Sequence, residues 1–316
     1  MAETNHSKKG KFLLRAAKII LPLALAAVCL YYILTSFEWL EIWRTIRQIN
    51  LSMFLAASIS TTLIFWFLRT LRWAILLKNE KLNISFFKLY LYTAVTIGFA
   101  NFTPFQSGEA LKVEFLRKYG GGRFSGYRYF FFEKLLDLLT ISTLAAFGIF
   151  VLFEFNLGNR LQLAIAGLIA VLAVLIFAFV IASKKFPEKL QTYRRIVPTQ
   201  SSNLIFAFLL TLASWTIMIF GWKFIFQSAA IDLTIFQTTA IISLTTVIGI
   251  LSFVPGAIGV SEISIAAMLS QMSYATVTAQ TGAMMIALYS LVILILSSIH
   301  LIILKMAGAV KIKESC

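Results

Sequence analysis

Apolar residues along this chain gather in long unbroken runs, not at the alternating spacing of half-buried strands. The runs fall at about 19–34, 51–68, 89–103, 129–153, 161–183, 203–226, 236–254 and 280–304, divided by short polar stretches. Continuous apolarity of this length predicts helices that face lipid. The 18-residue run from Leu51 to Leu68 extends about 27 Å as a helix, close to the roughly 30 Å hydrocarbon core. The first run follows Lys8, Lys9, Lys11, Arg15 and Lys18, as the h-region of a secretory signal would. Its small-residue triplet Ala24-Leu25-Ala26 comes too early for cleavage, and Val28 before Cys29 is a poor lipoprotein signature. The segment 19–36 is therefore expected to stay as an uncleaved spanning helix.

The run from Leu89 to Thr103 has only 15 residues, about 22 Å of helix, and it stops at Pro104, which cannot continue the hydrogen-bond ladder. It is expected to be one arm of a re-entrant hairpin or broken helix. The segment Gly98-Phe99-Ala100-Asn101-Phe102-Thr103-Pro104-Phe105-Gln106-Ser107-Gly108 aligns without gaps with Gly249-Ile250-Leu251-Ser252-Phe253-Val254-Pro255-Gly256-Ala257-Ile258-Gly259. Gly98/Gly249, Phe102/Phe253, Pro104/Pro255 and Gly108/Gly259 are identical, each at an offset of 151 residues. Gly/Pro-interrupted apolar segments at matching places in two halves are the mark of a transporter built from repeats.

Composition and charge turn this pattern into a topology. Of 316 residues 59% are hydrophobic and 13% charged, with 28 Lys and Arg against 13 Asp and Glu. With the N-terminus cytoplasmic, spans are expected at 19–36, 51–68, 129–153, 161–183, 203–226 and 280–304, with the two Pro-broken segments re-entrant. This arrangement places 24 of the 28 basic residues on the cytoplasmic side and leaves Arg44, Arg47, Arg160 and Lys223 opposite. The basic excess then reports orientation in an inner (cell) membrane and not a nucleic-acid partner. Three spans lie between the broken segments, so the repeats would be inverted. The expectation is an all-α polytopic membrane protein with about six spanning helices and two re-entrant hairpins. It divides into a cytoplasmic tail 1–18, one transmembrane domain 19–304 with repeat motifs at 98–112 and 249–262, and a cytoplasmic tail 305–316. The longest polar connections, 69–88 and 184–202, are too short to bury a core of their own.

Few chemistries remain open. The histidines are His6 and His300 and the cysteines Cys29 and Cys316, which offer no catalytic dyad, zinc spacing or disulfide framework. Neither a metal nor another cofactor is expected. Cys316 lacks the three following residues of a prenylation box. Gly120-Gly121-Gly122 lacks the Lys-Ser/Thr ending of a phosphate loop and reads as a turn.

The intramembrane charges are the candidates for function. Glu109 and Glu262 each follow a Pro/Gly tip, where a carboxylate either couples protons or holds a cation, or simply favours a helix N-terminus. Glu133 and Asp137 share a helix face at i,i+4, beside Lys134. Glu133 also fits a solvated position near the membrane edge. Arg69 and Arg72, with Trp66 and Trp73 around them, read either as a snorkelling interfacial anchor or as a guanidinium pair that grips a lipid phosphate. Lys112 would be a second phosphate contact, and the half-helix starts at Ser107–Ala110 and Ile258–Glu262 would supply backbone N–H groups.

Several of these pieces together resemble the integral-membrane, flippase-like region of lysylphosphatidylglycerol synthases, which also occurs as stand-alone proteins. They are Arg69-Thr70-Leu71-Arg72-Trp73 with Leu76-Leu77, the hairpin Pro104 to Lys112 with Gly108-Glu109, the cluster Glu133-Lys134-Leu135-Leu136-Asp137, and Pro255-Gly256-Ala257-Ile258-Gly259-Val260-Ser261-Glu262. The family tends to carry Arg where this chain has Lys112 and Lys134, and Gly where it has Ala257. The likeness runs from about 60 to 305 and includes no soluble aminoacyl-transferase domain. It implies a lipid translocase and not an enzyme, with headgroup contacts among Arg69, Arg72, Pro104, Gly108, Glu109, Lys112, Glu133, Asp137, Pro255, Gly256, Gly259 and Glu262. Its expected partner is a membrane lipid, with a homo-oligomer or a separate lipid-synthesis enzyme as further partners. A membrane subunit or scaffold for such an enzyme, or a small-solute transporter, is the alternative.

Overall fold

A computed structural model describes residues 3–78, 82–120, 123–152 and 201–307. The expected span 161–183, most of the connection 184–202 and most of the C-terminal tail lie outside them. The described chain is all-helical. Its α-helices are α1 (Glu3–Ser36), α2 (Trp39–Arg47), α3 (Leu51–Leu77), α4 (Phe86–Ala100), α5 (Leu111–Lys118), α6 (Arg123–Leu152), α7 (Ser201–Ser228), α8 (Ile235–Ser252), α9 (Val260–Gln271) and α10 (Thr276–Met306). Two short 3-10 helices, Pro104–Ala110 and Pro255–Ala257, follow α4 and α8.

Side-chain caps set several of the starts. Asn50 Oδ1 accepts from Met53 N at 3.0 Å to open α3, and Thr234 and Gln237 form a reciprocal capping box at α8, which satisfies donors the first turn would otherwise orphan. The stops at α4 and α8 are made by Pro104 and Pro255, each at the first position of its 3-10 helix, and the residue before each, Thr103 and Val254, is extended, as proline requires.

Four described helices are long and apolar enough to cross a bilayer: Leu51–Leu77, Asn203–Ser228, Ile235–Ser252 and Thr276–Met306. A fifth is formed if Ile20–Ser36 and Trp39–Arg47, bent by 80°, count as one. Two boundaries differ from expectation. α3 runs on through Arg69 and Arg72 to Leu77, because both guanidinium groups are buried against carboxylates of α6 and need not emerge into water. α8, expected as a re-entrant arm, has 18 residues, about 27 Å, and is long enough to span by itself.

The offset of 151 extends far beyond the eleven aligned residues. Adding it to α3, α4 and α6 lands on α7, α8 and α10 with ends matching to within three residues. Matched helices also exchange partners. α3 packs on α7, its own counterpart; α4 packs on α10 while α8 packs on α6; and the two 3-10 breaks touch each other. Close crossings carry the exchange. A Cβ at Gly98 of α4 would fall 2.1 Å from Ser297 Oγ of α10, and one at Gly148 of α6 2.8 Å from the Ala240 Cα of α8, the small-residue contacts that let helices pack without a hydrophobic drive. Gln106 and Ala257, 151 positions apart, both adopt a left-handed backbone, with φ of 55° and 52°. The outer surfaces of α1, α7 and α10 expose Leu21, Val28, Ile205, Phe206, Ile295 and Ile302.

Candidate functional site

α3 places Arg69 and Arg72 nearly one turn apart, and α6 places Glu133 and Asp137 one turn apart on the facing side. The 3-10 helix after α4 delivers Glu109, and the first turn of α5 delivers Lys112. The six side chains meet in the interior, where all are buried. Arg72 is fully committed: Nε donates to Glu133 Oε1 at 3.2 Å, Nη1 to Asp137 Oδ1 and Thr211 Oγ1 at 2.8 Å each, and Nη2 to Asp137 Oδ2 at 3.3 Å. Arg69 Nη1 donates to the same Asp137 carboxylate. Lys112 Nζ bridges Glu133 Oε2 at 3.2 Å and Glu109 Oε2 at 3.5 Å, and Lys134 Nζ closes the chain on Glu109 Oε1 at 2.7 Å and Gln106 Oε1 at 2.9 Å.

This is one continuous ion-pair network, and its charges do not cancel. Among the described residues Arg69, Arg72, Lys112 and Lys134 face Glu109, Glu133 and Asp137, leaving one positive charge in excess. Burial of charge is tolerated only with such pairing, because each lone ion costs several kcal/mol to desolvate. Aromatic faces take up part of the remaining field: Arg69 Cζ lies 4.8 Å from the Phe65 ring centroid, and Lys112 Nζ 5.2 Å from that of Trp73, within cation–π range. The Nε of Arg69 is buried without a hydrogen-bond partner. Lys134 is the member of the network whose side chain keeps contact with the surface.

A cavity of about 500 Å³ opens beside the first break, lined by Phe99, Thr103, Ser107, Gly108, Glu114 and Tyr127 among others. A second, wholly aromatic and aliphatic groove of about 430 Å³ runs between α3 and α4 past Leu63, Phe67, Phe86 and Tyr90. Among the described residues no group of three His, Cys, Asp or Glu is placed to hold a metal ion.

Sequence reasoning therefore named six residues that the fold brings together, Arg69, Arg72, Glu109, Lys112, Glu133 and Asp137. Pro104 and Gly108 shape the same break; Gly108 N donates to Thr103 Oγ1 at 2.7 Å, and a Cβ there would meet the α4 backbone at 2.8 Å. Pro255, Gly256, Gly259 and Glu262 belong to the other break. Glu262 Oε2 accepts from Gly259 N at 2.6 Å and Ser261 Oγ at 3.0 Å, so it caps its own helix and does not join the charge network. Gly256, at φ 64°, lies against the first break, its would-be Cβ 2.3 Å from the Asn101 carbonyl oxygen. Lys134, Gln106 and Thr211 were not singled out. Lys134 was legible as a charge inside an apolar run; Gln106 and Thr211 carry no signal apart from being polar.

Comparison with known proteins bears on the whole of this arrangement. A family model described as "Lysylphosphatidylglycerol synthase TM region" matches residues 19–298, a range that contains every member of the network. The chain is also similar to a protein of Pyrococcus horikoshii named "UPF0104 membrane protein PH1989", 24% identical over 272 residues, with 71% of this chain and 79% of that protein covered.

Proposed function

The chain belongs to the lysylphosphatidylglycerol synthase transmembrane-region family, and on that premise we propose that it is a lipid translocase, moving an amphiphilic, phosphate-bearing lipid between leaflets without ATP hydrolysis. In this reading six helices span a cell inner membrane with both termini cytoplasmic. The first break enters from the cytoplasm, the second from the opposite face, and the two meet as inverted repeats in the bilayer centre. The chain carries lipid and does not itself modify it.

The observation that supports this most is the uncancelled positive charge of the buried network. A phosphodiester bears one negative charge, so its arrival would neutralise the network at a depth where an uncompensated charge is most costly. The open Nε of Arg69 and the partly accessible Lys134 are the donors available to it. Arg72, which has its hydrogen bonds filled within the protein, organises Asp137 and Glu133. Glu109, held by two lysines, is the carboxylate from which those lysines could be drawn toward phosphate. The cavity beside Ser107 and Gly108 lies at the first break, next in sequence to Glu109, and Pro104, Gly108, Pro255, Gly256 and Gly259 shape the two breaks. The acyl chains remain in hydrocarbon.

The test is transfer of headgroup-labelled phospholipid in liposomes that contain the purified protein. Wild type is expected to equilibrate the label between leaflets faster than empty vesicles, and Arg69→Gln to slow transfer about 10–100-fold, the worth of one charge-assisted hydrogen bond. Rates equal to those of empty vesicles, for a panel of anionic and zwitterionic lipids, would overturn the reading. Release of an entrapped anion without lipid movement would favour a solute pathway instead.

A further inference from the structure

α2 is turned 80° from α1 and is only nine residues long. The joint is built, not loose: buried Gln280, in the first turns of α10, accepts from Glu38 N at 2.9 Å and donates to Ser36 O at 3.3 Å. On its inner side α2 seats Ile42 in the main hydrophobic core, with Ile46 packed alongside. Its outer side exposes Trp39, Leu40 and Trp43, together with Arg44 and Arg47. Arg47 Cζ lies 5.0 Å from the Trp43 ring centroid, and Arg44 keeps a 62% exposed side chain paired with Glu41 at 2.5 Å.

We propose that α2 is an interfacial helix that lies flat in the headgroup layer at the end of the membrane where α1 finishes, with Arg44 and Arg47 binding lipid phosphates. Three observations carry this. First, the α1 segment Ile20–Ser36 is apolar and exposed on most sides, so if it crosses the bilayer an 80° turn brings α2 parallel to the surface. Second, the exposed face mixes indole rings with arginines, the chemistry that sits at the hydrocarbon–headgroup boundary. It continues Tyr31 and Tyr32, both exposed in the last turns of α1. Third, among the described residues a further basic side chain at this end is already used. Asn50 N donates to Ser228 O at 2.9 Å, which joins the start of α3 to the end of α7, and at that end Lys223 of α7 donates inward to the Leu233 carbonyl. Arg44, paired on its own helix with Glu41, and Arg47 are both exposed, where anionic headgroups of the bilayer can reach them. The proposal requires only that the chain is an integral membrane protein and stands apart from lipid movement.

The experiment uses the full chain with Cys29→Ser and Cys316→Ser, spin-labelled at Leu40→Cys and reconstituted in phosphatidylcholine–phosphatidylglycerol vesicles. The label is expected at headgroup depth, reached by oxygen and shielded from an aqueous nickel chelate. In the unlabelled chain, Arg44→Gln and Arg47→Gln are expected to weaken retention of phosphatidylglycerol in native mass spectra by about fivefold each. Both side chains are exposed, and an unchanged melting temperature confirms that the variants fold. A label fully open to the nickel chelate, a disulfide between two copies through Leu40→Cys, or unchanged phosphatidylglycerol retention would each overturn the proposal.

Discussion

The offset that carries α3 onto α7 and α6 onto α10 turns Arg69 into Phe220, Glu109 into Val260, Lys112 into Ile263, Glu133 into Met284, Lys134 into Met285 and Asp137 into Leu288. Only Arg72 meets a basic counterpart, Lys223, and that lysine is bound to the Leu233 carbonyl with Asp232 at 3.6 Å. Two halves that share a chain path and exchange helices thus bury very different chemistry. The exchange is dictated by close backbone crossings that both halves possess, such as Gly98 on Ser297 and Gly148 on Ala240. The charge network is an addition to one half, and nothing in the shared scaffold demands it. With its charged side chains all on one half and Thr211 contributed by the other, the network is a single asymmetric centre, as the proposed lipid translocation would use.

The comparison breaks first at Asp137. Asp137→Asn leaves two buried guanidinium groups short of their shared counter-ion and should cost about 3–5 kcal/mol, whereas Leu288→Met at the matched place should cost less than about 1.5 kcal/mol. Chemical or thermal unfolding in detergent reads both, and equal losses would mean that the network is not what distinguishes the halves. Next is the seam between them. Gly256→Ala drives a Cβ against the Asn101 carbonyl at a left-handed φ and should cost roughly 2–4 kcal/mol; Gly120→Ala, at φ 84° with open space around it, should cost only about 1–2 kcal/mol. Melting temperatures that rank the two in the opposite order would show that the breaks do not rely on this contact.

The two carboxylates that looked alike in sequence should separate next. Glu109→Gln removes the shared partner of Lys112 and Lys134 and should cost about 1.5–3 kcal/mol, together with most of the lipid transfer. Glu262→Gln, which weakens a helix cap, should cost about 0.5–1 kcal/mol and leave most transfer in place. Identical transfer rates for the pair would sink the assignment of the headgroup site to the first break. The smallest effect is expected from Thr211→Val, which strips one hydrogen bond from Arg72, about 1 kcal/mol. Its counterpart Ser60→Ala removes a bond to the Ala56 carbonyl of its own helix and should stay within about 0.5 kcal/mol. A double-mutant cycle of Thr211→Val with Asp137→Asn would sharpen this, since both act on Arg72.

Much of the fold was legible because its signals are local. Apolar length marked the helices, proline marked the two breaks, and four identities at one offset marked the repeat. The end of α3 was misplaced at Leu68 for a physical reason. An arginine ordinarily signals water, but Arg69 and Arg72 are neutralised by residues about 65 positions away, so the helix continues to Leu77. The same long-range pairing removes Arg69, Arg72 and Lys112 from the solvated loop charges with which they had been counted. Glu262 takes the helix-start role that its position also allowed, its partners being Gly259 and Ser261 of its own turn.

The sequence by itself determined that this chain is helical and membrane-embedded and that it breaks at Pro104 and Pro255. Those properties follow from residue type and spacing, which act within a few turns. Only the tertiary structure decided which charges meet, that Lys134 completes the network while Glu262 stands outside it, and that the network carries one positive charge to spare. Ion pairs are chosen by distance in space, and in this protein that distance is set by how α3, the first 3-10 break, α5 and α6 pack together.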